Sequence, residues 1–385
     1  MSNDSSPAYE EELDFSVPAD GAPQAESAAK GARRNLRVPA ISAATVLAVA
    51  IGVGAYVGTQ GHAAHGASAK GVSLAAADGS AYEVYVAAQG GYEVASFNTQ
   101  TATAGSTYST DSAYGIALSP DDSTLYVANT GQYAVLAYNI ATRKATTIHV
   151  GAYPQDVAAA PNGTTVYATV TGGDTGPGGS NKVAVIDAAT DTVSSYITVG
   201  GTPRQIVLNP TGTRAYVGTG SGIFVVDTAS NRVIGVVPAP TDVQGLVLSP
   251  DGTTLYATAP DEGRLLVVST RSLRVVGTYG AGAEPWSVGI TPNGKKLYVT
   301  DTNSNSVSVL DAATGHPLAS VTVGSLPTAI GVSPDGAEVW VGNDLTGSLS
   351  VISTTSDTLV ATVPGGPGSS ALDSAPTDIL FAPAS

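Results

Sequence analysis

The stretch Pro285–Val323, PWSVGITPNGKKLYVTDTNSNSVSVLDAATGHPLASVTV, decides the fold. It divides into four short runs, WSVGIT, KLYVTD, SVSVLD and ASVTV. Each is rich in Val, Ile or Tyr and is bounded by Pro, Asn, Gly, Asp or Ser, the chemistry of β-strands separated by tight turns. The turn Pro292-Asn293-Gly294-Lys295 suits a hairpin, because Gly294 can take a positive φ without a Cβ clash. A four-stranded unit this small cannot bury its own faces, so it must stack on copies of itself.

Copies recur along the chain. A Pro followed by an Asp-, Asn- or Thr-led turn stands at Pro120, Pro161, Pro210, Pro250, Pro292 and Pro334, at intervals of 41, 49, 40, 42 and 42 residues. That is the period of propeller blades. The second strand occurs seven times, as YEVYVA, TLYVAN, TVYATV, RAYVGT, TLYATA, KLYVTD and EVWVGN. A seventh first strand, PTDILFAP, lies at the C-terminus from Pro376 to Pro383. The repeat region therefore opens with a second strand near Tyr82 and ends with a first strand near Ile379. This offset predicts that the last strand completes the first blade and closes the ring, which removes the open edges of a lone sheet. The predicted fold is all-β, a seven-bladed β-propeller of four-stranded blades closed by its C-terminal strand, preceded by one N-terminal transmembrane helix.

These motifs resemble the YVTN family of β-propeller repeats, whose pattern is a Pro-containing inner strand with S-P-D-G, then L-Y-V-T-N, then a strand close to V-S-V-I-D. The chain shows SPDG at Ser249–Gly252 and Ser333–Gly336, LYVTD at Leu297–Asp301 and VAVIDAATDTV at Val183–Val193. The resemblance spans roughly residues 81–385 and implies a surface-layer or cell-envelope setting. It implies no particular chemistry, because propellers host many functions.

The segment before the repeats divides into three. Residues 1–37 mix Ser, Pro, Ala and Gly with an acidic run at Glu10–Asp14, a composition expected of a disordered tail. A basic cluster follows, Lys30, Arg33, Arg34 and Arg37, and then 21 residues without a charge, 38–58. As a helix these would span about 32 Å, enough for a hydrocarbon core. Arginines on one side only predict a cytoplasmic N-terminus and a propeller outside the membrane. The alternative is a signal peptide cleaved after Ala67-Ser68-Ala69; the length of the apolar run favours the uncleaved anchor. Residues 59–80 read as a Gly-, Ala- and Ser-rich linker, in which His62 and His65 lack a third metal ligand.

Charge and composition exclude several functions. Outside the tail, 12 Lys and Arg stand against 24 Asp and Glu, a balance that repels nucleic acid. With no Cys, disulfides and thiolate metal sites are absent. His149 ends an outer strand and His316 lies in a turn, so no His is placed to act as a general acid or base near an inner strand. Asp301–Asn305 imitates the opening of a calcium loop, but the twelfth position is Ala312, not Glu. Catalytic residues, metal ligands and cofactors are accordingly not assigned.

One positional pattern points to a site. Six residues before each anchoring Pro, or its equivalent in the closing strand, stand Tyr114, Gln155, Arg204, Gln244, Trp286, Thr328 and Thr377; the next position holds Gly115, Asp156, Gln205, Gly245, Ser287, Ala329 and Asp378. Inner strands surround a central channel, so these two rings are expected to converge at its mouth. The candidate ligand-binding residues are Tyr114, Gln155, Asp156, Arg204, Gln244, Trp286, Thr328 and Asp378, with Asp156 a possible in-ring partner for Arg204. The bland reading is a hydrated channel plug. The chain is expected to act as a membrane-anchored binding scaffold for a protein or small molecule. The alternative is a propeller enzyme of the lyase, lactonase or quinone-dependent dehydrogenase type using the same mouth.

Overall fold

The computed structural model describes residues 81–101, 103–172, 181–239, 241–364 and 375–384. The expected tail, apolar span and linker lie outside the described residues, as does most of each long loop, Thr171–Ser180 and Pro364–Pro376. Among the described residues, no helix is long and apolar enough to cross a membrane.

Seven four-stranded antiparallel sheets form the seven blades. In each, the inner strand is joined to the second by a short turn, as at Thr291–Lys295, where Gly294 has φ 70°. The closing strand Pro376–Pro383 pairs antiparallel with Tyr82–Ala88, in register from Tyr82 with Pro383 to Ala87 with Asp378. Blade one is thus built from both ends of the repeat region, and its sheet runs from Pro376–Pro383 outward to Ala104–Ser109. Blades two to seven begin at Ala113, Pro154, Pro203, Leu246, Pro285 and Pro327. Blade five departs from the pattern: its inner strand is cut to Leu246–Leu248. Val243 stands there where Pro opens most other inner strands, and the preceding linker carries Pro238 and Pro240.

Alternation along each strand puts apolar side chains on both faces of the second and third strands, so every sheet is buried between two neighbours. The core is consequently divided into seven clusters, one at each junction between consecutive blades. At the junction of blades seven and one, fully buried Trp340 packs with Val84, Val86 and Ile379. Its indole Nε1 donates to Glu338 Oε2 at 2.9 Å, which satisfies the buried N–H. Burial raises the pKa of Glu338, opposed by this hydrogen bond.

The recurring Pro-x-Gly turn has a packing reason beyond its φ. On the face where inner strands end, each anchoring Pro lies against the turn Gly of the next blade. A Cβ added at Gly212, Gly252, Gly294 or Gly336 would stand 2.8, 2.9, 3.4 or 3.0 Å from the neighbouring Pro Cδ. At Gly163 the corresponding gap to Pro120 is 3.9 Å. There, between blades two and three, a cavity of about 420 Å³ opens, lined by Pro120, Asp121, Tyr126, Pro161 and Ala188.

Candidate functional site

The inner strands begin at the mouth and run away from it, and the second strands return to it. The mouth face therefore carries the hairpins between second and third strands and the linkers from outer to inner strands. The two sequence-predicted rings sit where the inner strands start, and the structure separates them by what their side chains touch.

The second ring clamps blades together. Asp378 of blade one accepts the Ile116 N–H of blade two at 2.9 Å, Asp156 of blade three accepts Ile206 N–H of blade four at 2.8 Å, and Gln205 of blade four accepts Leu246 N–H of blade five at 2.6 Å. Each amide would otherwise face the channel without a partner. Where the preceding blade offers only Gly115 or Ala329, the aspartate uses its other oxygen on its own following amide. Asp156 Oδ1 takes Val157 N–H and Asp378 Oδ1 takes Ile379 N–H, both at 2.8 Å. Gly115 is required beside Asp156, because a Cβ there would meet the Asp156 carboxylate oxygen at 2.0 Å. Burial, and then the charge of Asp378, push the Asp156 carboxyl well above the usual range, against the pull of its two amides. Burial likewise pushes Asp378 up to about 6.

Hydroxyls clamp the first ring through its backbone. Thr169 donates to the Arg204 carbonyl, Thr258 to that of Trp286 and Thr377 to that of Tyr114, each at 2.8 Å from one blade to the next. Thr328 does the same to the Pro376 carbonyl at 2.8 Å. Three sequence-predicted residues, Asp156, Thr328 and Asp378, thus spend their polar atoms on blade junctions.

The other five, Tyr114, Gln155, Arg204, Gln244 and Trp286, are half-buried around the mouth. Arg204 does not pair with Asp156. Its Nη2 lies 3.2 Å from Asp242 Oδ2, and Gln244 Nε2 donates to the same oxygen at 2.6 Å. Asp156 is turned away because its carboxylate is already held by Val157 and Ile206. Arg204 Nε and Asp242 Oδ1 are buried and make no hydrogen bond within the protein. Burial raises the Tyr114 hydroxyl's pKa, the Arg204 guanidinium opposes this, and Asp344 reinforces it. Groups from blades two, four and seven therefore share one field at the mouth. Asp242 escaped sequence reading because it lies in the linker before Val243, where blade five lacks its expected Pro. Its only signal is an acidic residue two positions from Gln244.

His149 and His316 are exposed, on an outer strand and in a turn. Asp301 accepts the amides of Ala283 and Glu284 at 2.8 and 3.2 Å, so it closes a turn. Among the described residues, no three His, Asp or Glu side chains come together to hold a metal.

Fold and mouth together define a seven-bladed β-propeller with a polar, partly prepaired channel entrance. Solved structures include a similar one, a chain of Kuenenia stuttgartiensis hydrazine synthase, with a TM-score of 0.63 and 22% identity over 72% of this chain and 93% of that one. At that identity the likeness concerns the fold alone. No protein-family model matches the chain, and no curated protein matches it.

Proposed function

We propose that this chain is a YVTN-type binding module of the cell envelope, anchored through residues 38–58 with its propeller outside the cytoplasm, and that it holds a polar small molecule or a partner's side chain at the channel mouth. The observation that carries the binding reading is the Arg204–Asp242–Gln244 group, fixed at 3.2 and 2.6 Å yet with an unused Nε donor and Oδ1 acceptor side by side. A site with donor and acceptor already placed suits a neutral or zwitterionic ligand better than a lone anion, since Asp242 balances the guanidinium. Trp286 adds a broad apolar face on the same ring. The anchor reading rests on the uncharged span and the arginines before it.

The binding test is a thermal-shift screen of neutral and zwitterionic small molecules on the parent and on Arg204→Ala and Trp286→Ala. A ligand of the parent is expected to lose about 1–3 kcal/mol of binding in each variant, with the fold intact. Ligands that bind both variants as they bind the parent would move the site away from the mouth.

A further inference from the structure

The residue before each third strand sits on the mouth face, and most blades hold it left-handed. Its carbonyl accepts the amide that follows the outer strand, at 2.7 Å for Tyr92 and Thr110, 3.2 Å for Tyr133 and Val150, 3.0 Å for Asn181 and Val199, and 3.0 Å for Asn305 and Val323. Positive φ at this point is a demand of the fold, and elsewhere Asn181, Gly263, Asn305 and Gly347 meet it with the residues that tolerate it best. Blades one and two instead place Tyr92 (φ 55°) and Tyr133 (φ 56°) there, 67% and 46% exposed. A bulky aromatic in this conformation is strained, and its ring buries little in return. Tyr133 meets Tyr153 edge to face at 5.3 Å, and Tyr153 is also left-handed, with φ 53°. On the other side of blade one, Leu345 at the corresponding hairpin of blade seven is 74% exposed.

The charge around these tips has one sign. The described residues of blades seven and one contain no Lys or Arg, against Asp335, Glu338, Asp344 and Asp357 in blade seven and Glu83, Glu93 and Asp378 in blade one. Exposed Asp111 abuts Gly131 in the hairpin that carries Tyr133. Arg143 and Lys144 of blade two stand at the turn between third and fourth strands, on the opposite face.

Resting on the reading of the chain as a binding module, we propose that the hairpin tips of blades seven, one and two form a docking surface for a Lys- or Arg-bearing segment of a protein partner, with Tyr92 and Tyr133 as its aromatic contacts. Aromatic faces attract alkylammonium and guanidinium groups, and an acidic rim draws them in. The selective feature is the pairing of exposed rings with a sector empty of competing cations.

The probe is a fluorescently labelled peptide of lysine–serine repeats, with a glutamate–serine peptide as control, titrated into the full-length protein and followed by anisotropy. The lysine peptide is expected to bind and the glutamate peptide not. Tyr92→Asn with Tyr133→Asn, which leaves every charge in place, should weaken binding at least about tenfold, and Tyr92→Phe with Tyr133→Phe should retain it. No binding of the lysine peptide, equal binding of both peptides, or unchanged binding by the Asn pair would overturn the proposal. If Arg204→Ala or Trp286→Ala weakens the lysine peptide while the Asn pair does not, the hairpin surface falls and the mouth reading stands.

Discussion

At the scale of single residues, position within the blade decides whether a polar side chain is structural or free. Asp156 and Asp378 each satisfy two backbone amides, one of them in the neighbouring blade. Removing either carboxylate by an Ala substitution should cost about 1–3 kcal/mol, because a buried amide is left without an acceptor; chemical denaturation would measure it. Asp378 also sets a pH dependence. Its folded pKa of about 6 lies above its ordinary value near 3.8, so folding binds a proton between these limits. Its contribution is full below the ordinary value and is lost as pH rises through about 6. The melting temperature should therefore fall as pH is raised from about 5 to about 7, and Asp378→Asn should flatten that slope. A profile unchanged in the variant would mean that other groups carry it. The exposed turn aspartates Asp121, Asp187, Asp227, Asp251 and Asp311 are held below their ordinary range by Ser and Thr hydrogen bonds and reverse the trend at lower pH. Backbone strain gives another prediction at this scale. Asp122 occupies the turn position that is Gly in later blades, at φ 56°. Asp122→Gly should leave stability unchanged or raise it by up to about 1 kcal/mol, and the same comparison for Tyr92→Asn should show no loss of stability.

At the scale of elements, the closing strand bears the most consequence. Pro376–Pro383 pairs with Tyr82–Ala88, its Asp378 reaches blade two, and its Ile379 packs under Trp340 and Leu349 of blade seven. Deleting residues 376–385 should expose two apolar blade faces and an unpaired edge. The expected result is a sharply lower melting temperature or aggregation; a truncated chain that melts like the parent would contradict the closure. Much of this was legible in sequence. The period near 42 residues and the offset between the opening second strand and the final first strand specify the blade count and the closing pair, and Trp340 reads correctly as core from its second-strand position. The clamps were not legible. An Asp at the start of an inner strand has the same sequence signature whether it faces water or a neighbour's amide, and only the register between blades separates Asp156 and Thr328 from Gln155 and Trp286. Asp242 was missed for a related reason, since blade five breaks the Pro spacing that aligned the other inner strands.

At the scale of the whole molecule, the two faces of the ring differ in chemistry. One face is closed by Pro against Gly contacts between successive turns. The mouth face gathers the prepaired Arg204 group and the exposed tyrosines. A membrane anchor at residues 38–58 would present this acidic ring outside the cell, where it remains soluble and repels anionic polymers. Protease added to intact cells stripped of their wall should then release propeller fragments and spare residues 1–37; full protection of the propeller would contradict the topology. The central claim is that the mouth binds. It is tested most directly by the thermal-shift screen of polar small molecules on the full-length protein and on the Arg204→Ala, Trp286→Ala double variant. The account predicts at least one compound that raises the parent's melting temperature with increasing concentration and leaves that of the double variant unmoved. Compounds that shift both proteins equally, or a screen in which none shifts the parent, would contradict it.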